Sequence, residues 1–120
     1  MKKLLILIVD DESANRALLC TFVRLIHPDS DIFSAEHGAQ AWEIINSNMG
    51  ELHIVISDVE MPQMNGVELT GRIRQEHPHI NIILMSGRGE PKDHEAHVFL
   101  AKPFKMADLA EVIRKFLREK

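Results

Sequence analysis

The chain of 120 residues holds a single cysteine, Cys20, which excludes a disulfide framework within it and suits a reducing compartment. Cys20 stands among Leu18, Leu19, Phe22 and Val23 and reads as a small buried hydrophobe, not a nucleophile. Positive charge is also scarce: 14 Lys and Arg face 18 Asp and Glu, for a formal net charge of -4. Binding a phosphate backbone needs clustered cations, so no nucleic-acid surface is expected. Repeats of solenoid length, low-complexity tracts and linkers are missing too. With 45% hydrophobic and 27% charged residues, the composition is that of a globular protein and not of a disordered or membrane chain. The start Met1-Lys2-Lys3 imitates a signal peptide, but the apolar run Leu4–Val9 is shorter than the roughly 7 to 15 residues needed and runs straight into acids. One domain over residues 1–120, in the cytoplasm and away from any membrane, is the expectation.

What is present is an alternation of strand-like and helix-like segments, which favours βαβ units and a parallel sheet. Short continuous apolar runs mark strands at Leu4–Val9, Asp31–Ala35, His53–Ser57, Asn81–Met85 and Val98–Ala101, as expected for strands covered on both faces. The Asp31 segment alone is mixed, as an edge strand is. Ala14, Ala17, Leu18, Thr21, Phe22, Leu25 and Ile26 recur at helical spacing after Ser13, a plausible N-cap. Ala39–Asn48, followed by Gly50, predicts a second helix, Val67, Thr70 and Ile73 a third, and Met106, Leu109, Ile113, Phe116 and Leu117 the last. His27-Pro28 and His77-Pro78 mark two helix ends, since proline disfavours a helical residue before it. The fold predicted is α/β, a flavodoxin-like five-stranded parallel sheet in the order 2-1-3-4-5 with helices on both faces.

In such a sheet ligands bind beyond the carboxyl ends of the strands. Asp10, Asp11 and Glu12 follow the first run, Asp58 the third, Ser86 the fourth and Lys102 the fifth. Crowded carboxylates repel one another unless a cation joins them, and a few oxygen ligands open to water favour Mg2+. A carboxylate can itself attack phosphorus to form an aspartyl phosphate, and Asp58 is placed centrally for that. Lys102 could neutralise a phosphoryl oxygen and Ser86 could donate to another. Taken singly, Asp10-Asp11-Glu12-Ser13 could be a helix cap and Lys102 a surface lysine. Together they converge on one edge.

These residues resemble the receiver domain of two-component response regulators over the whole chain. The resemblance rests on Asp10-Asp11-Glu12, on the run Asp58-Val59-Glu60-Met61-Pro62-Gln63-Met64-Asn65-Gly66-Val67-Glu68-Leu69, and on Phe99-Leu100-Ala101-Lys102-Pro103-Phe104. It implies that Asp58 accepts a phosphoryl group from the phosphohistidine of a sensor histidine kinase or histidine phosphotransfer protein. It also implies Mg2+ ligation by the Asp11 and Asp58 carboxylates and the Glu60 backbone carbonyl, with Asp10 acting through water. Lys102 would pair with the phosphoryl group before a cis bond to Pro103. Ser86 and Phe99 would be the switch pair, whose rearrangement reaches a downstream protein target or a covalently linked output domain. Turnover of an external substrate is not implied. A magnesium-dependent phosphohydrolase of the haloacid dehalogenase type is the enzymatic alternative, but it places its second Asp two residues after the nucleophile. A third possibility is an interaction module that is not phosphorylated.

Two departures from the family pattern stand out. Sixteen positions separate Ser86 from Lys102, short by roughly a turn and a half of helix at ~3.6 residues per turn, and Gly87-Arg88-Gly89-Glu90-Pro91 is poor helix material. The helix usual there is predicted to be stunted or missing. Glu60 and Arg88, each two residues past a site residue, are expected to form a salt bridge over the phosphoryl group. Of the seven histidines, His94 and His97 are the best-spaced pair, but they lack the convergent ligands of a zinc site.

Overall fold

The computed structural model describes residues 3–48 and 51–118. Among them, β1 (Leu4–Val9), β2 (Ser30–Ala35), β3 (Ile54–Asp58), β4 (Asn81–Ser86) and β5 (Val98–Ala101) form one parallel sheet in the order β2-β1-β3-β4-β5. Four helices accompany them: α1 (Ser13–Ile26), α2 (Gly38–Ser47), α3 (Gly66–Glu76) and α4 (Met106–Arg118). No described helix is long and apolar enough to cross a membrane.

Successive side chains of a strand point to opposite faces, so each apolar run feeds two cores. Leu4, Ile6 and Ile8 of β1, Ile54 and Ile56 of β3, and Ile83 and Met85 of β4 pack with Leu19 and Val23 of α1 and with Leu109, Ile113 and Phe116 of α4. Leu7 and Val9, Val55 and Ile82 pack instead with Ala41 and Ile45 of α2 and with Leu69 and Ile73 of α3. Each fully buried Ile or Leu contributes about 1.5–3 kcal/mol, so the central strands are fixed from both sides. On the edge strand β2 only Ala35 is buried, which accounts for its mixed sequence.

The helix boundaries predicted from proline hold: His27 and His77 are the C-caps of α1 and α3. The predicted N-cap Ser13 does not. Ser13 is the first helical residue, and Glu12 occupies the cap position with extended backbone, its side chain capping no helix N–H and accepting instead from the Asn15 side chain at 3.1 Å. The apolar face assigned to α1 is also rotated. Leu18 and Leu25 are 52% and 65% exposed, Ala14, Ala17 and Thr21 face solvent, and Leu19 and Val23 make the core contact with Cys20, Phe22 and Ile26 at its margin. Apolar residues cover more than one face of this helix, and contact with the sheet selects between them. Met106 begins α4 but is 38% exposed. Gly50, the predicted stop of α2, lies outside the described residues.

The segment 87–97 contains no helix. Its glycines and proline disfavour one, and Gly89 and Asp93 adopt φ +94 and +58, outside the right-handed helical region. His94 Nε2 meets Glu90 Oε2 at 2.6 Å, and the His94 ring lies 6.3 Å from that of Phe99.

Candidate functional site

Three backbone bonds continue the parallel ladder past the strand ends and bring the chemistry together. Asp10 N donates to Ala35 O at 3.1 Å, Val59 N to Met85 O at 2.9 Å and Lys102 N to Ser86 O at 2.9 Å. Because β1 and β3 are neighbours, Asp10 and Asp58 face each other across one strand spacing. Asp10 is fully buried: its Oδ1 accepts from Glu12 N at 2.9 Å and its backbone carbonyl from Arg16 Nη1 at 2.7 Å. Asp11 is exposed.

Lys102 reaches into this cluster, with Nζ 3.3 Å from both Asp10 Oδ2 and Asp58 Oδ1. The first contact is a hydrogen bond, whereas Asp58 Oδ1 is buried without one. Burial pushes the Asp58 carboxyl up from its ordinary 3.8 to about 6; Lys102 opposes this, and Asp10 and Glu60 add to it. Burial also works to lower the Lys102 pKa, but the attraction of Asp58 and Asp10 outweighs it and leaves that pKa raised. The Lys102–Pro103 peptide is cis, as the resemblance implied.

Carboxylate oxygens of Asp10, Asp11 and Asp58 lie within 4.8 Å of one another, a set that could hold a metal ion. Hard oxygen donors and an orphaned buried Oδ1 fit a small divalent cation such as Mg2+. Glu60, Met61, Pro62 and Asn65 wall the cavity of about 500 Å³ beside Asp11.

Ser86, at the end of β4, is fully buried and does not bond Asp58. Its hydroxyl donates to the Glu60 carboxylate, 3.0 Å from each oxygen, and accepts from Arg88 N at 2.9 Å. Glu60 and Arg88 therefore form no salt bridge with each other among the described residues, contrary to the sequence expectation. A nearer donor takes the carboxylate. Phe99 is half-buried on β5 beside His94.

The strand-end pattern located Asp10, Asp11, Asp58, Ser86 and Lys102, and all five stand at one edge. It missed Arg16, which anchors the Asp10 backbone, because a helical arginine carries no signal of its target. It also missed Gly66, where a Cβ would lie 2.2 Å from Asp58 O. The sequence Asn65-Gly66 offered a cue, since the Asn65 side chain caps α3 by accepting from Glu68 N.

A family model described as response regulator receiver domain matches residues 6–114. The chain is 35% identical over 122 residues to the sensor kinase CckA of Brucella abortus, covering 95% of this chain and 12% of that protein. It is 40% identical over 72 residues to a chemotaxis protein CheY homolog of Campylobacter jejuni, covering 59% of this chain and 53% of that one. The matches thus span about half or less of these curated relatives. Among solved structures, the signal receiver domain of an HD domain-containing protein from Pseudomonas fluorescens Pf-5 superposes with a TM-score of 0.88 at 26% identity, covering 98% and 97% of the two chains.

Proposed function

The chain belongs to the response regulator receiver domain family, and on that premise we propose that Asp58 is its phosphoacceptor, taking a phosphoryl group from a phosphohistidine. The observation that carries this is the Asp58 carboxylate itself: nearly buried, with one oxygen free of hydrogen bonds and an ammonium 3.3 Å away. In the transfer, an Asp58 oxygen bonds to phosphorus as the P–N bond breaks, and the electron pair stays on the imidazole nitrogen of the donor. Lys102 offsets the negative charge that the phosphoryl oxygens bring. Mg2+, held by Asp11, Asp58 and the Glu60 backbone carbonyl with Asp10 acting through water, would supply further positive charge to those oxygens.

Ser86 then serves as a hydroxyl donor to the phosphoryl group, and Phe99 repacks beside it. This is a population shift between two packings driven by local charge. The donor is a sensor histidine kinase or histidine phosphotransfer protein, and the recipient of the signal a protein target or a linked output domain in the cytoplasm. The similarity to a part of a sensor kinase supports that setting. The whole of residues 1–120 is one receiver unit, and it turns over no external substrate.

The test is incubation with acetyl phosphate and Mg2+, followed by intact mass. One added phosphoryl group is expected on the wild type and none on Asp58→Asn. Equal labelling of both would overturn the assignment, and steady release of phosphate from phosphomonoesters would favour a hydrolase instead.

A further inference from the structure

Ser86 is the one hydroxyl that β4 delivers to the phosphoacceptor edge, and in the resting protein it is already engaged. Both Glu60 carboxylate oxygens lie 3.0 Å from Ser86 Oγ. With the Glu60 carboxylate in place, Ser86 is fully buried, and Glu60 is the acceptor its hydroxyl finds. Arg88 N binds the same oxygen from the other side at 2.9 Å, which ties the start of the segment 87–97 to this hydrogen bond. A hydroxyl has one proton to donate. It cannot serve Glu60 and a phosphoryl oxygen at once.

We propose that Glu60 is a latch on the switch, a positioning residue whose carboxylate competes with the phosphoryl group for the Ser86 hydroxyl and so opposes the phosphorylated conformation. The proposal rests on the phosphoacceptor assignment above and adds an energetic brake built into the strand-end loop after β3. A hydrogen bond to a charged acceptor is stronger than one to a neutral acceptor, so the brake depends on the carboxylate. The same interaction has a second consequence. A Ser86 Oγ that turns toward the phosphoryl group also moves the acceptor of Arg88 N, so opening the latch is felt at the start of the segment that replaces a helix before β5. In a chain with no helix there to transmit a shift, this bond links the acceptor edge to residues 87–97 directly.

Through-space repulsion between Glu60 and the phosphoryl group would also disfavour phosphorylation, and a double-mutant cycle separates the two causes. The probe is beryllofluoride, a mimic of an aspartyl phosphoryl group, titrated into the full chain with Mg2+ and followed through the amide resonances of residues 86–88. Glu60→Ala is expected to tighten beryllofluoride binding by about tenfold or more, the low end for one hydrogen bond to a charged group. In the probe-free protein it should move the 86–88 resonances part of the way toward their bound positions. Glu60→Gln, which keeps an acceptor without the charge, should fall between. In a Ser86→Ala background the gain from Glu60→Ala should vanish. Glu60 is exposed, and Ser86→Ala removes one atom, so folding is expected to survive both. A gain of the same size with and without the hydroxyl would assign the effect to charge repulsion and overturn the latch, as would no gain at all. If the wild type itself takes up no beryllofluoride, or Asp58→Asn takes it up equally, the phosphoacceptor assignment falls and the latch with it.

Discussion

Lys102 Nζ stands 3.3 Å from Asp58 Oδ1, at ion-pair distance but without the alignment of a hydrogen bond, although 44 positions separate the two residues in sequence. The ammonium is hydrogen-bonded to Asp10 instead. Asp58 Oδ1 is thus held beside positive charge while it stays free of hydrogen bonds, as the proposed phosphoacceptor role requires.

The raised Asp58 pKa makes stability depend on pH. A carboxyl with a higher pKa folded than unfolded favours the folded state when protonated, so its contribution is complete below about pH 4 and is lost as pH rises through about 6. Without divalent metal, Asp58→Asn should stabilise the protein at pH 8 by at most about 3 kcal/mol, the shift converted at 1.36 kcal/mol per unit. Urea unfolding at pH 8 and pH 4 measures it; a gain that does not shrink at pH 4 contradicts the linkage.

Removing Lys102 leaves two buried carboxylates facing each other. Lys102→Met should lower metal-free stability at pH 8 by about 3 kcal/mol, as for other broken buried pairs. It should also tighten Mg2+ binding by removing a competing cation. Calorimetric titration checks the second point, and weaker binding would show that Lys102 helps to assemble the metal site.

Mg2+ should raise the melting temperature of the wild type. At tenfold excess over its Kd, the stabilisation is about 1.4 kcal/mol. Asp11→Ala, an exposed substitution, should lose most of that rise with little change in the metal-free melting temperature. An undiminished rise would place the ion elsewhere.

Gly66 allows α3 to start against the carbonyl of Asp58. A Cβ there meets Asp58 O at 2.2 Å and Leu84 Cδ2 at 3.0 Å, so Gly66→Ala must displace backbone. A loss of about 2–4 kcal/mol is expected in urea unfolding, together with slower acetyl phosphate labelling, since strain of this kind is among the larger mutational effects. Wild-type stability and rate would show that the loop gives way freely.

The face of α1 that packs on the sheet can be tested by truncation. Leu19→Ala should cost about 2–5 kcal/mol. Leu18→Ala and Leu25→Ala should each stay within about 0.5 kcal/mol. Chemical denaturation decides, and a large loss at Leu25 would contradict its exposure.

The strand segments, both core faces of the sheet and the members of the acidic edge were legible in the sequence because they follow from local rules, whereas the order 2-1-3-4-5 was expected from the fold class. Continuous Ile, Leu and Val runs mean strands covered twice, proline after histidine ends a helix, and parallel strands deliver their last residues to one side. The missing helix between Ser86 and β5 was legible for the same reason, since glycine, proline and a short span act locally. The rotation of α1 was not, because Leu18, Leu19, Phe22 and Val23 all satisfy a helical period, and only packing against Ile6 and Ile8 chooses among them.

The partner of Glu60 was decided by tertiary structure alone. Sequence placed Glu60 and Arg88 at matching offsets and suggested that opposite charges would meet. In the folded chain the β3–β4 register sets Ser86 beside the loop after Asp58, and a buried hydroxyl that must find an acceptor takes the carboxylate first. Residue types fixed which groups reach the edge, whereas hydrogen-bond competition among them depends on distances that no local pattern encodes.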